Sequence, residues 1–183
     1  MAIIQTDTTL LASSPQGPET HVFDTAEEAT ARAAFIIEAL SWQGTPFRDC
    51  GDIKGPRGAV DCAMLLTRCA IDTGLVAPFD PRPYPPRWHV HRDEERFIDW
   101  IETRLGAREV EQPRPGDVAV WMFGKTFSHG AILINSVEVV HAWAKAAMVL
   151  VSRRDETILT SIPVFAGSVP RPVRYFDLWS ARS

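Results

Sequence analysis

The sequence predicts an α+β domain, with N-terminal helices packed on a central antiparallel β-sheet. Two observations carry the prediction. Apolar residues recur at helical spacing through the first half of the chain, and short strand-like runs, two of them joined by the tight turn Asn135-Ser136, fill the second half. Helices first and strands second is the pattern of an α+β fold with an antiparallel sheet. At 183 residues the chain fits one domain over 21–183, preceded by an arm over 1–20 that holds the breaker cluster Ser13-Ser14-Pro15-Gln16-Gly17-Pro18.

The first helix starts at Asp24 or Thr25. Glu27 and Glu28 suit its first turn, Ala29, Ala33, Ile36, Ile37 and Leu40 form its apolar stripe, and Gln43-Gly44-Thr45-Pro46 stops it near Trp42. A glycine-rich loop over 44–60 leads to a second helix from about Asp61 to Thr73, closed by Gly74. Residues 77–91 hold Pro78, Pro81, Pro83, Pro85 and Pro86, a long proline-rich connection of a kind that is often functional. A third helix fits Asp93 to Leu105, with Phe97, Trp100, Ile101 and Leu105 on one face and Gly106 at its end. Strands follow at Asp117–Phe123, His129–Ile134, Glu138–Trp143, Met148–Ser152, Leu159–Phe165 and Val173–Phe176.

Composition narrows the function. A net charge of −4 gives no basic surface for nucleic acid, and 45% hydrophobic residues argue against disorder. Three cysteines do not make a disulfide framework, so a reducing compartment is the simplest setting. Met1 to Ser14 carries Asp7 and lacks a basic start, which is a poor signal peptide, and no apolar run approaches the ~20 residues that span a bilayer. The expectation is a protein made in the cytoplasm without a signal peptide.

The chemistry centres on Cys62. It stands where the loop carrying Gly51, Gly55 and Gly58 gives way to a helix, so unpaired N–H groups and the helix dipole favour its thiolate, the nucleophilic form. His129, following Ser128, can accept the thiol proton and later protonate a leaving amine. His141 can fix the tautomer of His129. A two-residue turn at Asn135-Ser136 sets His129 opposite Ala142, with His141 one step away; a bulge or another loop register would bring both histidines onto one face. Asp61 reads as a helix cap or structural hydrogen-bond partner, Cys69 as a core residue, and Cys50 as a core residue or surface thiol. His89 and His91 alternate on an extended segment and could join Cys50 around zinc, but no second pair at metal-ligand spacing accompanies them, so neither metal nor cofactor is expected. Phe47, Asp61, Trp88, His89 and Ser128 are candidates for substrate binding or the cleft wall, and Trp42, Trp100, Trp121 and Trp143 for core or groove.

In their order along the chain these segments resemble the NlpC/P60 cysteine peptidases over roughly Ala26 to Ser152. Gly44-Thr45-Pro46-Phe47 resembles that family's Gly-Thr-Pro-Tyr, and Asp61-Cys62 its Asp-Cys-Ser-Gly-Leu. Pro115-Gly116-Asp117-Val118 resembles its Pro-Gly-Asp-Leu, Ser128-His129-Gly130-Ala131-Ile132 its His-Val-Gly-Ile-Tyr, and Val140-His141-Ala142 the segment with its third polar residue. The resemblance implies a papain-like fold, Cys62, His129 and His141 as catalytic residues, and peptidoglycan stem peptides as substrate, commonly at the amide between D-glutamate and diaminopimelate. Two departures stand out. Phe47 lacks the hydroxyl of the family tyrosine, and Ala63-Met64 replaces Ser-Gly after the cysteine. Arg48 through Gly55, and Tyr84 through Arg92, look like the phage-tail and prophage branch, which implies tail proteins as partners and delivery by a virion or by lysis. Two rival readings keep the fold: a thiol acyltransferase or amidase, and a tail module whose site has decayed.

Overall fold

The computed structural model describes residues 25–84, 95–165 and 167–180. The expected arm over 1–20, Asp24, Trp88, His89, His91 and Asp93 lie outside these residues. Among the described residues there are four helices and ten strands: α1 Thr25–Leu40, β1 Asp52–Ile53, β2 Ala59–Val60, α2 Cys62–Asp72, α3 Arg96–Leu105, β3 Arg108–Val110, β4 Val118–Phe123, β5 Thr126–Leu133, β6 Glu138–Trp143, β7 Met148–Arg153, α4 Thr157–Thr160, β8 Ser161–Val164, β9 Gly167–Pro170 and β10 Val173–Asp177. No helix among the described residues is long and apolar enough to cross a membrane.

The main sheet has the order β3-β10-β4-β5-β6-β7, and every neighbouring pair is antiparallel. Its central strands are covered on both faces. Side chains such as Val118, Val120, Ile132 and Val140 meet the helices through Phe35, Met64, Leu65 and Ile101. The alternate residues Ala119, Trp121, Ala131, Leu133 and Val139 form a second, smaller core with Leu159. α3 lies so close to β5 that a Cβ on Gly130 would stand 2.5 Å from Phe97 Cζ, so any larger residue there has to displace that ring.

Several expectations change in the folded chain. The loop over 44–60 contains the hairpin β1–β2. Residues Leu159 and Thr160 belong to the short helix α4, and the strand expected to start there begins at Ser161 and pairs with β9. The expected two-residue turn is a three-residue one. Asn135 Oδ1 accepts the N–H groups of Val137 and Glu138 at 2.8 Å each, and Ile134 N donates to Glu138 O at 2.9 Å. An asparagine side chain that mimics a backbone turn in this way costs the loop one extra residue. Ile132 consequently pairs with Val140 and Leu133 with Val139, one position beyond the expected register. That shift places His141 on the face that carries His129.

One buried cation ties α1 to the sheet. Arg32 donates to Asp117 Oδ1 at 2.7 Å, to Asp177 Oδ1 at 3.0 Å and to Pro115 O at 2.8 Å, which holds the Pro-Gly-Asp turn where β4 begins. Gly116 takes φ +87° in that turn, a left-handed conformation open to glycine. Removing the cation leaves two buried carboxylates facing each other, so Arg32→Ala is expected to cost about 3–5 kcal/mol of stability, measured as a lower urea midpoint.

Candidate active site

The site is built where α2 meets the open end of the β5–β6 ladder. Asp61 caps α2: its Oδ1 accepts Met64 N at 2.8 Å, satisfying a first-turn N–H. Its Oδ2 accepts Cys50 N at 2.6 Å and the Tyr84 hydroxyl at 2.7 Å. One buried carboxylate thus joins the helix start, the glycine-rich loop and the proline-rich segment. Cys50, at φ +58°, is held by this bond, and its thiol donates to Tyr84 O at 3.6 Å. Cys69 is a core residue with no exposure.

Cys62 is half-buried at the first turn of α2, and its thiol donates to Ser128 O at 3.8 Å. The backbone N–H groups of Gly130, Cys62 and Ala63 favour its charged form. Burial outweighs them, and the neighbouring Asp61 charge adds to burial, so the thiol is pushed up to about 12. The thiolate expected from the helix start is therefore corrected. At neutral pH Cys62 rests as a thiol.

The two histidines meet. His129 Nε2 lies 2.7 Å from His141 Nδ1, and the rings pack edge-to-face with centroids 5.0 Å apart. Trp121, Phe123 and Trp143 surround His129, with ring centroids 4.7–6.2 Å away. β5 and β6 pair at Ile132–Val140 and Leu133–Val139; the segment 128–130 lies beyond that ladder, and here the Cys62 thiol rests against the strand backbone on both sides of His129. A register irregularity between Trp121 and Met122 falls at the same place: Trp121 faces His129, and Met122 faces Phe127, leaving Ser128 as the extra residue. The Ser128 hydroxyl donates to Phe123 O at 3.2 Å, so its carbonyl, not its side chain, meets the thiol. Phe47 sits beside Val60, two residues before Cys62, and its ring packs into the helix-side core.

His141 is 1% exposed, and burial lowers it to about 4. It is neutral at physiological pH, so one of its ring nitrogens donates a hydrogen bond and the other accepts one. Its second nitrogen, Nε2, lies 3.1 Å from Ser152 Oγ. Ser152 was not among the expected site residues. The signal was a single small polar residue among apolar ones on β7, on the face shared with His141 through the His141–Leu150 pair.

No protein-family model and no curated protein sequence matches the chain. Among solved structures it is similar to the peptidoglycan hydrolase RipB from Mycobacterium tuberculosis, at 19% identity over 85% of this chain and 68% of that one, with a TM-score of 0.49. It is also similar to the P60 domain of antigen MAP1204 from M. avium subspecies paratuberculosis, at 16% identity, 79% and 94% coverage and a TM-score of 0.44. The P60 domain of antigen MAP1272c from M. avium paratuberculosis gives 16% identity, 83% and 95% coverage and a TM-score of 0.46. Roles at the site rest on the residues of this chain.

Two measurements check the electrostatics. Because the pKa of His141 is lower folded than unfolded, its contribution to stability is full above pH 6.5 and is lost as pH falls toward about 4, where the unfolded chain already binds the proton. The loss is expected to reach about 3 kcal/mol, read from urea midpoints across that window and flattened in His141→Gln. Asp61→Asn keeps a helix cap but removes the charge beside Cys62, so alkylation of Cys62 in the native protein should become faster at pH 8.

Proposed function

We propose that this chain is a cysteine peptidase of the NlpC/P60 kind that hydrolyses an amide bond in peptidoglycan stem peptides. The observation that carries the proposal is the buried 2.7 Å contact between His129 Nε2 and His141 Nδ1, set beside the strand segment against which the Cys62 thiol rests. A thiol, a base and a group that orients the base are the parts required for nucleophilic acyl transfer. The substrate comes from the family resemblance of the motifs around Cys62, His129 and His141.

The reaction follows from the resting protonation states. Cys62 is a thiol, so its proton passes to His129 as sulfur bonds to the substrate carbonyl carbon. His129 Nε2 faces His141, and in this reading Nδ1 is the nitrogen that accepts the thiol proton. Negative charge on the carbonyl oxygen is met by the backbone N–H of Cys62 at the start of α2, which compensates for the hydroxyl that Phe47 lacks. Collapse breaks the C–N bond, and His129 returns the proton to the departing amine. His129 then takes a proton from water, the resulting hydroxide cleaves the thioester, and the thiol is restored. Neutral His141 accepts from the His129 imidazolium throughout and carries no charge of its own.

Delivery by a phage tail or by lysis rests on the resemblance of residues 48–55 and 84–92 to the phage-tail branch, and genes for tail components beside that of this protein are the expected observation. The direct test is purified protein on isolated peptidoglycan. New stem-peptide fragments should appear, and Cys62→Ala should lower their release by at least ~1,000-fold. Unchanged release in Cys62→Ala removes the mechanism. Transfer of the acyl group to an added amine in preference to water identifies an acyltransferase, and wall binding without turnover identifies a structural module.

A further inference from the structure

The reaction proposed above uses His141 at Nδ1, yet its other nitrogen is also engaged. His141 Nε2 lies 3.1 Å from Ser152 Oγ, and the two residues are only 1% and 7% exposed. Among the described residues no carboxylate contacts this ring. A neutral imidazole carries one proton, so the row His129–His141–Ser152 has two self-consistent arrangements. In the first, His129 Nε2–H donates to His141 Nδ1, and His141 Nε2–H donates to Ser152 Oγ. In the second, the Ser152 hydroxyl donates to His141 Nε2, His141 Nδ1–H donates to His129 Nε2, and the proton of His129 sits on Nδ1.

Only the first arrangement puts the lone pair of His129 on Nδ1, the tautomer that can take a proton there. It is also the only one compatible with the intermediate, because an imidazolium donates from both nitrogens and requires an acceptor at His141 Nδ1. We propose that Ser152 is a positioning residue whose hydroxyl oxygen accepts the His141 Nε2–H and thereby holds His129 as the competent base. This rests on the reading of Cys62 and His129 as nucleophile and base. Without the hydroxyl, the first arrangement buries an N–H with no acceptor, and an orphaned donor carries the full cost of its desolvation. The ring then moves its proton to Nδ1 and turns His129 into the wrong tautomer. Because the bond matters most when His129 is charged, its loss falls on kcat and not on KM.

Ser152→Ala and Ser152→Thr in the full chain test this by two independent readouts. In histidine-labelled protein, nitrogen-15 spectra should show His141 protonated at Nε2 in the wild type and in Ser152→Thr, and at Nδ1 in Ser152→Ala. On peptidoglycan, kcat should fall about 10- to 100-fold in Ser152→Ala with KM unchanged, and Ser152→Thr should recover most of it. A folded Ser152→Ala with the wild-type tautomer and wild-type kcat overturns the role of Ser152. The expected tautomer change in a protein that does not cleave peptidoglycan supports the placement of Ser152 and overturns the proposed substrate instead.

Discussion

Asn135 Oδ1 takes the backbone N–H groups of Val137 and Glu138, and the meeting of the two histidines follows from that small turn. It adds one residue to the loop, sets Ile132 against Val140, and turns His141 to the face of His129. In a sheet the side chains alternate, so a slip of one residue would send the imidazole into the opposite core. The same turn leaves β5 and β6 paired over two positions, so the backbone near His129 is available to the Cys62 thiol. A local side-chain hydrogen bond thus decides where two histidines from different strands meet.

The surrounding structure makes this arrangement rigid. The sheet has a core on each face, so β5 and β6 cannot slide without disrupting Ile132 on one side and Leu133 on the other. Arg32 anchors the start of β4 through Asp117, and β4 carries Trp121 and Phe123 against His129. Asp61 fixes the other half of the site. It holds the start of α2, the loop at Cys50 and the segment at Tyr84 with one buried carboxylate, at the expense of raising the pKa of the neighbouring thiol. A resting thiol in a largely apolar setting is less open to oxidation than a thiolate.

Much of the architecture was legible in the chain. The stripe of Ala33, Ile36 and Leu40 and the Gly44 stop marked α1, and Asp61 and Gly74 bracketed α2, because helix ends have strict local chemistry. β6 was readable to the residue, since an apolar run between turn residues is a local signal. The hairpin β1–β2 and the strand β9 were not, being short and held by pairing partners outside their own sequence. Ser152 was missed for a related reason: a serine in a strand becomes notable only when its neighbour across the ladder is known.

The sequence by itself determined the α+β order of elements and the cap at Asp61, since residue type and local spacing suffice for each, and it offered Cys62, His129 and His141 as candidates for chemistry. Tertiary structure alone decided their protonation and their partners. The neutrality of His141 and the high pKa of Cys62 come from burial, which no local pattern measures. The meeting of His129, His141 and Ser152 comes from strand register, a relation among three segments that is settled only when the turn closes and both cores pack.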